Sequence, residues 1–119
     1  MKKIKVLTYL IVLGIVALLA KSCEKPGLPK GTPDCIKNKI EEAQSSCLEK
    51  VYRYEYNTKT VYFLIYPCPE GCYSLIDSNC NVIKDSTDNE VCSCNWGGAW
   101  CAEDFEKNRT NEKLIWEKE

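Results

Sequence analysis

The stretch that decides the fold is "VYRYEYNTKTVYFLIY", residues 51–66. It contains two runs rich in β-branched and aromatic residues, 51–56 and 60–66, separated by the polar segment Asn57-Thr58-Lys59. Two such runs joined by a short polar segment are typical of a β-hairpin. Side chains alternate along a strand, so one side of the first strand carries Tyr52, Tyr54 and Tyr56. The sequence therefore predicts an antiparallel hairpin with a tyrosine-bearing side.

A helix is expected upstream of this hairpin, over residues 33–46. Thr32 suits the N-cap, Pro33 suits the first helical position, and Asp34 complements the positive helix end. One apolar face of the predicted helix is formed by Cys35, Ile36, Ile40, Ala43 and Cys47.

Downstream, the pattern predicts a second hairpin, with strands 72–76 and 80–84 flanking the turn residues Asp77-Ser78-Asn79. A short helix is expected over residues 102–108, and "KLIWE" (113–117) fits an edge strand. The predicted fold class is α+β: an N-terminal helix packed on a small antiparallel sheet of two hairpins plus a C-terminal strand, stapled by disulfides.

The N-terminus has the three parts of a secretory signal. Three lysines occur in the first five residues, an apolar run covers 6–20, and the small residues Ala20 and Ser22 precede Cys23. We expect residues 1–22 to be a signal peptide; the alternative is a permanent membrane-spanning helix. The apolar run is shorter than the roughly 18 residues that favour a spanning helix.

Cys23, directly after this segment, resembles the lipid-modified cysteine of bacterial lipoproteins, although Lys21 stands where a small or aliphatic residue is usual. The resemblance implies acyl chains such as palmitate as a membrane anchor. It also implies a location in the cell envelope, on the outer membrane if the bacterium has one. Residues 23–32 would then be a linker, and residues 33–119 a small disulfide-rich globular domain.

The cysteine count agrees with lipidation, because nine cysteines in an exported chain leave one outside any set of pairs. Assigning Cys23 to lipid leaves an even number. The connectivity of these eight stays open; the candidates for four disulfides are Cys35, Cys47, Cys68, Cys72, Cys80, Cys92, Cys94 and Cys101.

Charge limits the partners. Removal of residues 1–22 takes away four of the 16 basic residues and none of the 17 acidic ones, leaving a formal charge of −5. Nucleic acid is therefore not an expected partner. We expect contact with the membrane through the lipid anchor, and an envelope protein or a glycan as the partner.

Several segments in this order resemble a family of bacterial secreted and lipoprotein domains known as domain of unknown function 6970. The segments are "TPDCIKNKIEE", "VYRYEYNTKTVYF", "DSNCNVI", the Gly97-Gly98 pair, "CAEDF" and "KLIW". "CPEGC" and "CSCNWGGAWC" depart from the family pattern, so its disulfide pairing is not transferred. The resemblance supports an α+β envelope domain and implies no activity.

Few residues are suited to catalysis. The chain contains no histidine, the most usual general base, and the neighbouring carboxylates Glu41-Glu42 and Glu103-Asp104 are typical of a solvated helix face. "CPEGC" (68–72) and "CSC" (92–94) allow a zinc site or a redox dithiol, but an exported chain favours structural disulfides. We expect no catalytic residue, no metal and no cofactor.

Two further patterns have alternative interpretations. Residues 77–88 place oxygen ligands at spacings of a calcium loop, but Val82 stands where that loop needs glycine, so a polar turn is favoured. Trp96 and Trp100, like the tyrosine stripe, suit either a displayed recognition surface or the core, and we expect the core. The predicted function is a non-catalytic binding or interaction module; the alternative is a thiol–disulfide redox protein that uses a cysteine pair.

Overall fold

The computed structural model describes residues 27–68, 71–95 and 98–119. Helix α1 (Asp34–Glu41) continues into a 3-10 turn at Glu42–Gln44. The remaining elements, in chain order, are β1 (Lys50–Tyr56), β2 (Lys59–Tyr66), β3 (Cys72–Ile76), β4 (Cys92–Asn95), β5 (Gly98–Cys101), α2 (Glu103–Asn108) and β6 (Thr110–Glu117).

The predicted tyrosine-rich hairpin is present as β1 and β2. Its turn is two residues long, Asn57 and Thr58, with φ angles of 50° and 64°. Two successive positive φ values match the twist of flanking antiparallel strands, and asparagine tolerates them better than most residues. Tyr56 pairs with Lys59, so Lys59 belongs to β2. The prediction that placed Lys59 in the turn is wrong.

β1 and β2 are the central strands of a four-stranded antiparallel sheet with the order β3-β2-β1-β6. Four consecutive residues of β2, from Val61 to Leu64, are buried. Successive side chains of a strand point to opposite faces, so both faces of this sheet must be covered. The mixed α+β class with antiparallel strands is thus confirmed.

One face of the sheet, called the helix face below, is covered by α1 and the turn after it. Its buried side chains are mostly aliphatic: Ile36, Ala43, Leu48, Val51, Tyr62, Leu64, Ile76 and Ile115. The predicted helix over 33–46 is too long, because helical hydrogen bonding ends at the 3-10 turn. The backbone N–H groups of Ser45 and Ser46 both donate to the Glu42 carbonyl, and the Ser45 hydroxyl donates to the same oxygen.

The N-cap prediction is also wrong. Pro33 occupies that position, and no side chain caps the helix. The Thr32 hydroxyl instead donates to the Pro29 carbonyl at 2.6 Å, and the Thr32 backbone N–H donates to the same oxygen. Thr32 is buried, so residues 29–32 form an ordered turn against the domain.

The opposite face, called the aromatic face below, is covered by α2 and the segment around Val91 and Cys92. Its buried residues are Tyr54, Tyr56, Val61, Phe63, Leu75, Val91, Cys92 and Phe105. Phe105 lies edge-on to two tyrosine rings, with centroid distances of 5.6 Å to Tyr54 and 5.3 Å to Tyr56. Edge-to-face geometry is a favoured arrangement of aromatic pairs.

The second predicted hairpin is wrong in its second strand. Residues 72–76 form β3, but residues 80–84 make only isolated bridges, Ile76 to Val82 and Lys84 to Glu90. The second hairpin lies later in the chain, where β4 and β5 pair as a separate two-stranded sheet. β6 is an edge strand as predicted, and it begins at Thr110 instead of Lys113.

Candidate functional site

A cleft of about 220 Å³ lies between the β1–β2 turn and the loop after β3. The turn contributes the polar side of the cleft, and the loop contributes most of its apolar side. The lining residues are Tyr56, Asn57, Lys59, Val61, Asp77, Val82, Ile83 and Lys84. This cleft is the candidate functional site.

The loop wall of the cleft is shaped by Asp77. One carboxylate oxygen of Asp77, Oδ1, accepts the backbone N–H groups of Asn79 at 2.8 Å and of Asn81 at 2.9 Å. The chain then closes with Cys80 at a φ of 63°. A short acceptor side chain that folds back on its own backbone is the usual basis of such an Asx turn. Asp77, the first residue of the calcium-loop pattern, thus closes a turn, as the polar-turn interpretation of this segment predicts.

The same turn occurs again eight residues later. Asp85 Oδ1 accepts the backbone N–H groups of Thr87 at 2.8 Å and of Asn89 at 3.0 Å, and Asp88 has a φ of 64°. Hydrogen bonding, first from the Thr87 hydroxyl, lowers the pKa of Asp85. "DSNCN" (77–81) and "DSTDN" (85–89) are thus an internal repeat, which was not predicted from the sequence. The signal was present as Asp-Ser followed by Asn at the fifth position, twice.

Backbone hydrogen bonds fix the two turns against the sheet. The Ile83 N–H donates to the Leu75 carbonyl at 2.9 Å, and the Val91 N–H donates to the Ile83 carbonyl at 3.0 Å. The Ala102 N–H continues the series by donating to the Val91 carbonyl at 2.7 Å. This ladder connects β3 to the start of α2, and it uses both backbone groups of Ile83, the N–H toward β3 and the carbonyl toward Val91.

The cleft has an apolar floor and a charged rim. Val61 is buried below the opening, whereas the Val82 side chain is 42% exposed. Lys59 and Lys84 stand on the rim, and Lys84 forms a 3.5 Å ion pair with Asp88. The site can thus offer ammonium donors, a carboxylate acceptor at Asp77 and an apolar contact surface.

The tyrosine stripe is packed into the domain. Tyr54 and Tyr56 are buried, and their hydroxyls donate to the carboxylates of Glu112 and Asp104. Burial, followed by the hydrogen bond to Glu112, raises the pKa of Tyr54 far above its usual range. Burial and the bond to Asp104 raise the pKa of Tyr56 in the same direction. The guanidinium of Arg109 lies 4.8 Å from the centroid of the Tyr54 ring.

All eight candidate cysteines are joined in four disulfides, so the disulfide-bonded nature of the domain is confirmed. The pairs are Cys35–Cys80, Cys47–Cys68, Cys72–Cys94 and Cys92–Cys101. Neither "CPEGC" nor "CSC" contains an internal disulfide. Cys72 of the first motif bonds to Cys94 of the second, and the other cysteine of each motif bonds to a residue outside both motifs. Among residues 27–68, 71–95 and 98–119, no group of three or more metal-ligating side chains comes together.

Several predicted features lie outside the described residues: the signal peptide 1–22, Cys23 with the first part of the 23–32 linker, and Trp96. Trp100 is described, and it is 48% exposed, contrary to our expectation of a core residue. It pairs with Ser93 in the β4–β5 ladder, whereas its neighbour Cys101 packs toward the aromatic face. Alternation along β5 therefore turns Trp100 outward.

No helix within the described ranges is both long and apolar enough to cross a bilayer.

The fold and the cross-links define a class: a small α+β domain, closed by four disulfides, of the kind that is maintained in oxidising compartments. Residues 37–118 match the family described as "Domain of unknown function (DUF6970)", and the chain belongs to that family. The match starts within α1 and ends after β6, so it includes the whole sheet and both Asx turns. No curated protein and no solved structure matches the chain.

Proposed function

We propose that this protein is a lipoprotein of the bacterial cell envelope whose domain acts as a non-catalytic binding module. In this proposal residues 1–22 direct export, and Cys23 carries the acyl chains. The observation that carries the proposal is the cysteine pairing. Each of the other eight cysteines is bonded within the domain, so Cys23 is the one cysteine that the disulfide framework does not use.

Export is supported by the presence of four disulfides, some of which join residues far apart in the chain. Cys35 and Cys80 are 45 positions apart, and Cys72 and Cys94 are 22 apart. Bonds of this kind form and persist in oxidising spaces outside the cytosol. A domain of this size gains much of its stability from such cross-links.

The non-catalytic assignment is supported by how the carboxylates are used. Glu103 forms a 2.8 Å ion pair with Lys107, and Asp104 accepts hydrogen bonds from Tyr56 and Asn108. The neighbouring carboxylates Glu103 and Asp104, which the sequence places on a solvated helix face, therefore have structural contacts. The chain also contains no histidine, the most usual general base.

Lipidation is tested by replacing Cys23 with serine in the full chain. We expect the wild-type protein in the membrane fraction with an intact mass raised by the acyl groups, and the C23S variant without that added mass. Lys21→Ala is the matched control, because it changes the same segment and keeps the cysteine. A wild-type protein of unmodified mass in the aqueous phase contradicts the proposal.

The redox alternative is favoured by one observation, the exposure of Cys94 at the surface end of the Cys72–Cys94 bond. Counting reactive thiols on the folded, purified chain tests it. We expect none of the eight domain cysteines to react before reduction. We also expect that adding the protein does not accelerate the reduction of insulin by dithiothreitol. A reactive cysteine pair that accelerates insulin reduction would establish the redox function in place of the binding one.

A further inference from the structure

We propose that the cleft between the β1–β2 turn and the first Asx turn binds a single sugar residue that carries a carboxylate. This inference deepens the proposed binding function and rests on it. The size of the cleft, the chemistry of its rim and floor, and the rigidity of its walls favour such a ligand.

The size of the cleft limits the ligand. Its volume of about 220 Å³ is below the roughly 300 to 1,000 Å³ of pockets that enclose drug-sized molecules. One six-membered ring with its substituents fits such a space, whereas a longer ligand must extend out of it. The site is therefore suited to one residue, free or at the end of a glycan.

The rim indicates an anionic ligand. Two lysines, Lys59 and Lys84, and a single aspartate line the cleft, although the whole chain has a net charge of −1. Lys84 is about half exposed in its contact with Asp88, and exposed ion pairs contribute little free energy. A ligand carboxylate can therefore replace Asp88 as the partner of Lys84 at small cost.

The remaining lining groups favour a sugar over a simple aliphatic acid. Asp77 can accept hydrogen bonds through Oδ2, since its Oδ1 already receives two backbone N–H groups. The Asn57 amide can donate as well as accept. A ring that bears both hydroxyl groups and a carboxylate satisfies donors and acceptors together, and its C–H face can rest on Val82 and Ile83.

The walls of the cleft are held in place without a ligand. On one side of the cleft, the pairing of β1 with β2 holds the β1–β2 turn in place. On the other side, the Cys35–Cys80 disulfide and the Ile76–Val82 bridge hold the Asx turn against the sheet. Preorganised walls reduce the entropy lost on binding.

The test uses the full mature chain in detergent micelles, labelled with ¹⁵N, and titrated with sodium glucuronate. We expect amide shifts concentrated at residues 57–61 and 77–84, with a dissociation constant of about 1 mM, the range for a weak ligand of a dozen heavy atoms. Glucose lacks the carboxylate and sodium acetate lacks the ring. Both are expected to bind at least tenfold more weakly.

The double variant Lys59→Gln/Lys84→Gln should weaken glucuronate binding at least tenfold, while its thermal unfolding midpoint stays near that of the wild type. Lys113→Gln, an exposed lysine on β6, is the matched control and should bind normally. Equal binding of acetate or glucose, or unchanged binding by the folded double variant, overturns the sugar site. That result would leave the thiol and lipidation tests of the proposed function unaffected.

Discussion

The two faces of the central sheet are closed by different means. On the helix face, α1 contributes Ile36 to a mostly aliphatic cluster that also contains Leu64. On the aromatic face, Phe105 enters from a helix of only six residues, and the tyrosines around it must also satisfy their hydroxyls. A helix of six residues can thus close a core when large rings and specific polar contacts add to the helix's own packing.

The largest expected difference between the faces is at Phe105. Its side chain is fully buried and contacts the rings of Tyr54, Tyr56 and Phe63. We expect Phe105→Ala to lower the free energy of unfolding by about 3–5 kcal/mol. Edge-to-face pairs contribute roughly 0.5–1.5 kcal/mol beyond burial, so the loss should exceed that of Ile36→Ala on the helix face.

Urea unfolding followed by circular dichroism measures both variants. Ile36 is as fully buried as Phe105, which makes Ile36→Ala the matched control for burial without aromatic contacts. An Ile36→Ala loss equal to or greater than that of Phe105→Ala would show that the aromatic contacts do not distinguish the two faces.

A smaller difference is expected from the disulfides. Cys35–Cys80 packs against the helix face and joins residues 45 apart, whereas Cys92–Cys101 belongs to the aromatic face and joins residues nine apart. Loop-closure entropy predicts a contribution of about 4 kcal/mol for the first and about 2.6 kcal/mol for the second. Paired alanine substitutions, compared by the free energy of unfolding, should therefore destabilise the domain more at the helix face.

This ranking reverses if native packing dominates over chain entropy. Cys92 is buried in the aromatic-face cluster, so its replacement also removes a packed sulfur. A greater loss from the Cys92/Cys101 variant than from the Cys35/Cys80 variant would show that the short bond acts chiefly through the folded state.

The smallest expected effect concerns Tyr54 and pH. Its pKa is raised, so the neutral hydroxyl is favoured in the folded state, and the stability this provides is complete below the unfolded pKa of about 10. It is lost as the pH rises above that value. Tyr54→Phe should cost about 1 kcal/mol at pH 7 and should reduce the loss of stability between pH 9 and 11.

Thermal unfolding of both proteins across this pH range makes the comparison. Tyr52→Phe serves as the control, because Tyr52 lies on the same side of β1 but is only half-buried. If Tyr54→Phe loses stability with pH as steeply as the wild type, the buried hydroxyl of Tyr54 is not the group that responds to alkali.

Local patterns in the sequence were sufficient for some elements. The β1–β2 hairpin follows from alternation and a turn that tolerates positive φ, and α2 and β6 follow from equally short signals. The candidate cleft was not predicted, because its walls come from residues about 20 positions apart. The strand predicted for 80–84 was wrong because apolar composition alone does not reveal that Asp77 and Asp85 each fold the chain back on itself.

The sequence by itself determined the strand and helix tendencies, the even number of domain cysteines and the distinctive position of Cys23. It did so because residue propensities, the number of cysteines and the order of segments can be read from the chain without knowing which residues are in contact. Only the tertiary structure decided which cysteines pair, which face receives Phe105, and that Lys59 and Lys84 share one cleft. Those outcomes depend on long-range packing, in which residues far apart in sequence compete for the same two faces of one small sheet.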